Sequence, residues 1–321
     1  MHAKALLTGW FSFPDKDATA GDVLALRRVE GVLRGADIDY DVAWSAGFRP
    51  AALHLDEARP AAYSHLVYVC GPLHGPQVEE LHRRFAHCVR IAVGTSVPDP
   101  EDPAVTGFHR VLARDGPAAV TEPDLAAHAP VEATTPVVGV ILGQDRDGAG
   151  EDDGDAAEAL TRWLAQKDCA RLELETRLDS RDWRLCATPG QVQSVLTRMD
   201  LVVTDRLHGL VLSLRGGVPA LAVDPVAGGA RVTAQADACG WPALVPAERL
   251  SDRKLDHWWH WCLTSGRVAA RQIRREFLED PEADSAAGLV AALSAPLETA
   301  GARGVRPDGP GGAEPSRGNG R

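Results

Sequence analysis

The stretch that decides the fold runs from Met199 to Asp224 and reads MDLVVTDRLHGLVLSLRGGVPALAVD. It holds an apolar run, a polar turn at Asp205-Arg206, a second apolar segment with helical spacing, two glycines and another apolar run. Short apolar runs on either side of a helix are typical of buried parallel strands in an α/β protein. The stretch therefore predicts a strand over 200–204, a helix over 207–215 and a strand over 218–223.

The same alternation of strands and helices fills the rest of the chain. Further strands are predicted over 4–8, 37–43, 66–69, 89–93 and 136–142, and helices over 20–33, from 76, and over 156–166, 189–199, 229–239 and 252–279. Such an order indicates parallel sheets with helices on both faces. Because the composition shifts near residues 130–136, we expect an α/β protein with domains over 1–132 and 133–296. The glycine- and proline-rich residues 297–321 are expected to be disordered.

Composition and charge exclude several classes of protein. The chain has 321 residues and a formal net charge of −11, which gives no bulk attraction to nucleic acid or to an anionic membrane. No apolar run reaches the roughly 18 residues of a transmembrane segment. The six cysteines lack the spacing of a zinc or dithiol motif, and the first residues lack a positive leader. We therefore expect a cytoplasmic protein with no transmembrane segment.

Other familiar motifs point to no metal and no cofactor. The sequence contains no phosphate-binding P-loop, no dinucleotide-binding glycine pattern after the first strand and no nucleophile elbow. The run from His257 to Cys262 has two histidines and a cysteine, but its three tryptophans favour a packed helix over a metal site. The acidic residues within 144–155 are interpreted as a solvated loop.

The polar turn after Thr204 is the strongest candidate for chemistry. Open α/β sheets bind ligands outside the carboxyl ends of their strands, where this turn is expected. The start of the following helix offers amides to an anion, and Arg206 and His208 add a guanidinium and an imidazole there. The next strand is followed by Gly228-Gly229 and Arg231, which can present further amides and a cation. The two strand ends together predict an anion pocket.

These residues carry a resemblance to a known family. Arg206, His208, Gly209 and then Gly217-Val218-Pro219 resemble the hallmark of the polysaccharide pyruvyl transferases. Weaker blocks in the first half resemble other elements of that family, in the same order: Gly21-Asp22, Cys70-Gly71-Pro72, Arg114-Asp115 and Pro123-Asp124. The chain departs from the family where many relatives have a lysine after the strand that ends here at Asp224, and Arg231 is expected to replace that charge.

The resemblance implies a fold and a reaction. It implies two Rossmann-like domains facing across a cleft, as in GT-B glycosyltransferases, with the acceptor side in 1–132 and the donor side in 133–296. The implied enzyme transfers pyruvate from phosphoenolpyruvate, a donor substrate, to sugar hydroxyls as a ketal. His208 would bind the donor or act as general acid, and either Asp22 or Asp115 would act as base. The remaining residues expected to bind substrate are Arg206, Leu207, Arg114, Gly209, Gly228, Gly229, Arg231, Gly21, Gly71 and His74.

Two other functions remain open at this point. The first is a GT-B glycosyltransferase that uses a nucleotide-sugar donor and contacts its diphosphate through Gly228-Gly229. The second is a catalytically silent relative that binds a glycan or a partner protein. The expected partners are a small-molecule donor and a glycan acceptor. The sequence does not identify the acceptor sugar and leaves formation of a homo-oligomer open.

Overall fold

A computed structural model describes residues 4–14, 17–143, 151–226, 228, 231–279 and 285–294. The chain divides into two compact units, Met1–Ala133 (unit 1) and Thr134–Arg321 (unit 2). The predicted disordered tail, 297–321, lies outside the described residues.

Unit 1 contains a five-stranded parallel sheet with helices on its two faces. Its strands are β1 (Lys4–Thr8), β2 (Asp39–Val42), β3 (His65–Val69), β4 (Val89–Ser96) and β5 (Arg110–Asp115). Its helices are α1 (Ala20–Gly35), α2 (Pro76–Arg84) and α3 (Pro103–Thr106), with short 3-10 turns at Trp10–Ser12, Pro60–Ala62 and Leu125–His128.

Unit 2 repeats this plan with a second parallel sheet. Its strands are β6 (Val137–Ile141), β7 (Ala170–Glu173), β8 (Leu201–Thr204), β9 (Ala220–Asp224) and β10 (Leu244–Pro246). Its helices are α4 (Glu151–Ala165), α5 (Pro189–Leu196), α6 (Leu207–Arg215), α7 (Arg231–Ala238), α8 (Asp252–Leu263), α9 (Ser265–Glu279) and α10 (Leu289–Ser294). Short 3-10 turns lie at Ala247–Arg249 and Ser285–Gly288.

The two sheets have the same strand order, from which a general rule predicts where each binds a ligand. The orders are β2-β1-β3-β4-β5 in unit 1 and β7-β6-β8-β9-β10 in unit 2. In each sheet the second strand pairs with one edge of the first strand, and the third strand pairs with the other edge of the first strand. Ligands of open α/β sheets bind at this switch in direction, outside the carboxyl ends of the two strands concerned. In unit 2 these strands are β6 and β8, so the crevice lies beside the turn after Thr204.

The stretch from Met199 to Asp224 folds as predicted. All residues of β8 and β9 are buried, and α6 between them covers the predicted 207–215. The predicted helix after Thr188 begins with a capping box, because Thr188 Oγ1 accepts from the Gln191 amide and Gln191 Oε1 accepts from the Thr188 amide. The α/β class with two parallel-sheet domains is thus confirmed.

The acidic stretch after β6 departs from the expected loop. Residues 144–150 lie outside the described residues, but 151–155 already belong to α4. The prediction of a loop was therefore wrong for 151–155.

The tryptophans of α8 pack in the core of unit 2. Trp259 is buried, and its ring centroid lies 5.6 Å from that of Trp163 in α4. Trp163 Nε1 donates a 2.8 Å hydrogen bond to Asp256, which also pairs with Lys167 at 2.5 Å. The run from His257 to Cys262 thus joins α8 to α4.

Within the described part of the chain, no helix is long and apolar enough to cross a membrane.

Candidate anion site at the start of helix α6

Thr204, the last residue of β8, fixes the turn that leads into α6. Its hydroxyl donates a 2.8 Å hydrogen bond to the carbonyl of Ile141 at the end of β6. The same oxygen accepts a 3.0 Å hydrogen bond from the amide of Arg206. Thr204 is fully buried, so its hydroxyl oxygen is shielded from water. The hydroxyl therefore joins the two strands that flank the crevice and sets the position of Arg206.

Asp205 strengthens the same junction. Its side chain is buried, and Oδ1 accepts a 2.7 Å hydrogen bond from the amide of Gly143, just past β6. A buried carboxylate needs such donors because its charge is poorly solvated there. The sequence placed Asp205 in a polar turn, and the structure gives it a role in tying the β6 and β8 ends together.

Gly209 lets α6 approach β8 closely. A Cβ atom at this position would lie 2.1 Å from Thr204 Oγ1 and 2.9 Å from Thr204 Cβ. Both distances are far inside van der Waals contact, so the helix can lie against the strand end only with glycine here. This contact explains why a glycine follows His208 in this chain.

Replacing Thr204 with valine should destabilise unit 2 by about 2 kcal/mol, because the isosteric change leaves the Arg206 amide and the Ile141 carbonyl without their buried partner. Chemical denaturation monitored by circular dichroism measures the change. Thr197→Val is the matched control, since the Thr197 hydroxyl bonds a backbone carbonyl at an exposed position. Equal effects of the two substitutions would contradict the role given to Thr204.

Arg206 precedes α6 and is held by a carboxylate from the end of β7, two strands away from β8 in the sheet. Its Nη1 donates a 2.9 Å hydrogen bond to Oε1 of Glu175, which follows β7. About 37% of the Arg206 side chain is exposed, so the guanidinium reaches solvent. Glu175 fixes one edge of this cation and leaves the other N–H groups for a ligand.

Glu175 is itself rigidly placed. Its Oε1 also accepts from the amides of Thr176 at 2.7 Å and Arg177 at 3.0 Å. Burial raises the pKa of the Glu175 carboxyl, but the two amides and the Arg206 guanidinium lower it more, so the pKa lies below its usual value. The carboxylate therefore stays ionised at neutral pH. No motif in the sequence pointed to Glu175.

His208 lies in the first turn of α6, two residues after Arg206, and is exposed. Among the described residues, none forms a hydrogen bond with its imidazole, and the Arg206 side chain does not cap the helix. Arg206, Leu207, His208 and Gly209 thus form one turn that presents a guanidinium, an imidazole and the positive end of a helix dipole. This combination suits a small anion.

The end of β9 is joined to the start of α7 through Asp224. The buried Asp224 accepts hydrogen bonds from the amide and hydroxyl of Thr233 in α7, at 2.8 and 2.7 Å. Gly228 has a φ of +84°, a conformation that favours glycine, and Arg231 is exposed at the start of α7. Gly229 lies outside the described residues, so the anion contact expected of it stays a prediction.

In unit 1, Asp22 caps a helix. Its Oδ2 accepts from the amide and hydroxyl of Thr19, while Thr19 Oγ1 accepts from the Asp22 amide. This reciprocal arrangement stabilises the start of α1. Gly21 lies exposed within the same turn. The role of Asp22 as a base and that of Gly21 in binding remain predictions.

Arg114 and Asp115 form a charged network at the end of β5. Arg114 Nε donates to Asp115 at 2.7 Å, and its Nη1 pairs with Asp124. Ser96 donates to the other oxygen of Asp115. The Ser96 hydroxyl and the Arg114 guanidinium hold the pKa of Asp115 below its ordinary value. The carboxylate is thus ionised, and Arg114 is paired with both Asp115 and Asp124. The substrate-binding role of Arg114 and the role of Asp115 as a base stay predictions.

Gly71 and His74 surround Trp10, just past the end of β1. Gly71 has a φ of +73°, and a Cβ there would lie 2.2 Å from Trp10 Cδ1. Trp10 Nε1 donates a 3.0 Å hydrogen bond to the Pro72 carbonyl, and the His74 ring centroid lies 5.2 Å from that of Trp10. The glycine turn at 70–72 therefore makes room for an indole ring.

Comparisons with known proteins bear on fold and family. No curated protein matches the chain. The chain is similar to the calicheamicin glycosyltransferase CalG4 (15% identity, TM-score 0.34, covering 90% of this chain and 98% of that one). It is also similar to the kitacinnamycin glycotransferase (14%, 0.33, 90% and 98%) and to the glycosyltransferase SnogD from Streptomyces nogalater (15%, 0.30, 91% and 99%).

A family model matches the part of the chain that builds the anion site. The matched residues run from 155 to 225 and include Glu175, Arg206 and His208. They also include the glycine at 209 and the whole of β8, α6 and β9. Residues 155–225 thus match the polysaccharide pyruvyl transferase family, which confirms over that range the resemblance carried by the motif from Arg206 to Pro219.

Proposed function

We propose that this protein transfers pyruvate from phosphoenolpyruvate to two hydroxyls of a sugar, forming a ketal. The observation that carries the proposal is the turn from Arg206 to Gly209, where a fixed guanidinium and an exposed imidazole meet at the start of α6. The family match over residues 155–225 supports it. A transferase is the class of enzyme that both findings favour.

Phosphoenolpyruvate carries a phosphate and a carboxylate, and the turn offers donors to one of them. The N–H groups of Arg206 that Glu175 does not engage can form charge-assisted hydrogen bonds with an oxyanion. The amides of Leu207 and His208 and the helix dipole add to the attraction. Arg114 is the proposed cation for the second anionic group, with Gly228 and Arg231 near the donor.

The reaction requires a proton at C3 of the donor and removal of protons from the acceptor. His208 is the proposed acid: its proton passes to C3, which becomes the methyl group, while positive charge develops at C2. The first sugar hydroxyl bonds to C2 and gives up its proton to a carboxylate, for which Asp22 and Asp115 are the candidates. The C2–O bond to phosphate then breaks, the second hydroxyl bonds to C2, and its proton leaves with the phosphate. The products are the ketal and inorganic phosphate.

The proposal is tested by incubating the purified protein with phosphoenolpyruvate and a panel of neutral glycosides. We expect release of inorganic phosphate that depends on one of the glycosides, together with a product whose mass increases by one pyruvate less one water. Parallel incubations with nucleotide sugars test the competing glycosyl transfer. Transfer from a nucleotide sugar, or no reaction with phosphoenolpyruvate and any acceptor, would overturn the proposal.

A further inference from the structure

Unit 2 contains a pocket that the anion site does not use. It encloses about 410 Å³ at the carboxyl ends of β6 and β7. One wall is apolar and comes largely from α5, with Val192, Val195 and Leu196. The charged part of the lining comes from residues 173–184. Its volume lies within the roughly 300–1,000 Å³ of small-molecule sites.

The pocket adjoins the anion site through Glu175. This residue lines the pocket and at the same time holds Arg206 at 2.9 Å. A ligand in the pocket therefore lies one side chain away from the cation proposed to hold phosphoenolpyruvate. The pocket is also much larger than that donor, so it suits a second molecule and not the donor itself.

The charges of the lining argue against an anionic ligand. Its carboxylates outnumber its guanidinium groups, with Glu173, Glu175 and Asp182 against Arg177 and Arg184. Arg184 is moreover bound to Asp182 through two hydrogen bonds, of 2.9 and 2.7 Å. A nucleoside diphosphate would therefore find no excess of positive charge in the pocket.

The same groups suit a ligand with many hydroxyls. A hydroxyl donates one hydrogen bond and accepts others, so carboxylates and guanidinium groups side by side satisfy it in both directions. The wall of valines and leucines fits the C–H face of a sugar ring. We propose that the pocket between β7 and α5 binds a neutral sugar of the acceptor. The inference rests on the proposed function and places acceptor binding in unit 2, beside the donor, whereas the sequence suggested residues 1–132.

The test measures binding of a panel of neutral methyl glycosides to the full chain by saturation-transfer NMR, with phosphoenolpyruvate binding followed in parallel by calorimetry. Val195→Trp places an indole in the pocket and should abolish glycoside binding while leaving phosphoenolpyruvate affinity unchanged. Val268→Trp, at an exposed position on α9, is the matched control. Arg177→Gln should also weaken glycoside binding without affecting folding, and Arg181→Gln, on the same loop but outside the lining, should not.

The possible outcomes distinguish a failure of the sugar-pocket inference from a failure of the proposed reaction. Glycoside binding that survives both Val195→Trp and Arg177→Gln, or absence of glycoside binding in the wild type, overturns the inference. Binding of uridine diphosphate that is lost in Val195→Trp overturns it in favour of a nucleotide pocket. If glycosides bind and the two variants lose them while phosphoenolpyruvate does not bind the wild type, the sugar pocket stands and the proposed donor fails.

Discussion

Replacing Arg206 with alanine is expected to weaken phosphoenolpyruvate binding roughly 100-fold, equivalent to about 3 kcal/mol, since hydrogen bonds to charged groups contribute about 1.5–3 kcal/mol each. The substitution removes the guanidinium that Glu175 holds at the start of α6. It also leaves the Glu175 carboxylate without its cation, so a negative charge now faces the incoming anion. Isothermal titration calorimetry measures the affinity.

The matched control is Arg215→Ala, at the other end of the same helix. Arg215 is exposed, and its Nη1 donates to Gln193. Its loss should leave phosphoenolpyruvate affinity unchanged. Arg206→Lys keeps the charge but not the planar fork and should give an intermediate affinity. If Arg206→Ala and Arg215→Ala bind the donor equally well, Arg206 is not its ligand.

Replacing Gly209 with alanine is expected to destabilise unit 2 by about 3 kcal/mol, at the upper end of the usual effect of overpacking a tight core. The new Cβ would lie 2.1 Å from Thr204 Oγ1. The threonine cannot rotate away without losing its bonds to Ile141 and Arg206. Either the helix moves or the strand junction breaks, and both also displace Arg206. Thermal unfolding and phosphoenolpyruvate affinity should therefore fall together.

Gly31→Ala in α1 is the control for the helical effect of alanine. No atom lies within 4 Å of a Cβ at Gly31, so this change should stabilise unit 1 by about 0.5–1 kcal/mol. A double variant, Gly209→Ala with Thr204→Ala, removes the oxygen that clashes. The loss of unfolding free energy in the double variant should be smaller than the sum of the losses in the two single variants. Additive losses would show that the contact between residues 204 and 209 does not cause the destabilisation by Gly209→Ala.

The sequence predicts the centre of unit 2 well because burial leaves a clear pattern there. β8 and β9 are apolar up to their last residues, Thr204 and Asp224, and lie in the interior of their sheet, so each is visible as a short apolar run. The helix between them ends at the glycines that follow Arg215. Arg206 and His208 could be assigned to the carboxyl end of a strand because the apolar run of β8 directly precedes their turn.

The edge strand of the same sheet, β7, was not predicted from the sequence because it is not buried. β7 is an edge strand whose four residues, Ala-Arg-Leu-Glu, are all exposed, so no apolar run marks it. Glu175 follows this strand and meets Arg206 only through the pairing of β7 with β6 and of β6 with β8. Without β7, the carboxylate that holds Arg206 and the pocket beside it could not be found.

Pairing between charged groups was also beyond the sequence. Arg114 and Asp115 are neighbours in the chain, but the second partner of Arg114 is Asp124, ten residues later. The sequence resemblance placed Pro123-Asp124 after Arg114-Asp115, but it did not indicate that Arg114 and Asp124 are in contact. Partners of this kind depend on where loops return to a sheet edge, which local propensity does not encode.

The hydroxyl of Thr204 has a consequence for natural variation among homologues. One oxygen joins two strands and also fixes the residue that precedes α6. Glycine at 209 leaves space for a side chain no larger than threonine. Serine is then the one exchange that keeps the oxygen without adding bulk. We therefore expect threonine or serine at this position in homologues, including any that no longer carry out the reaction, because the fold itself needs the hydroxyl.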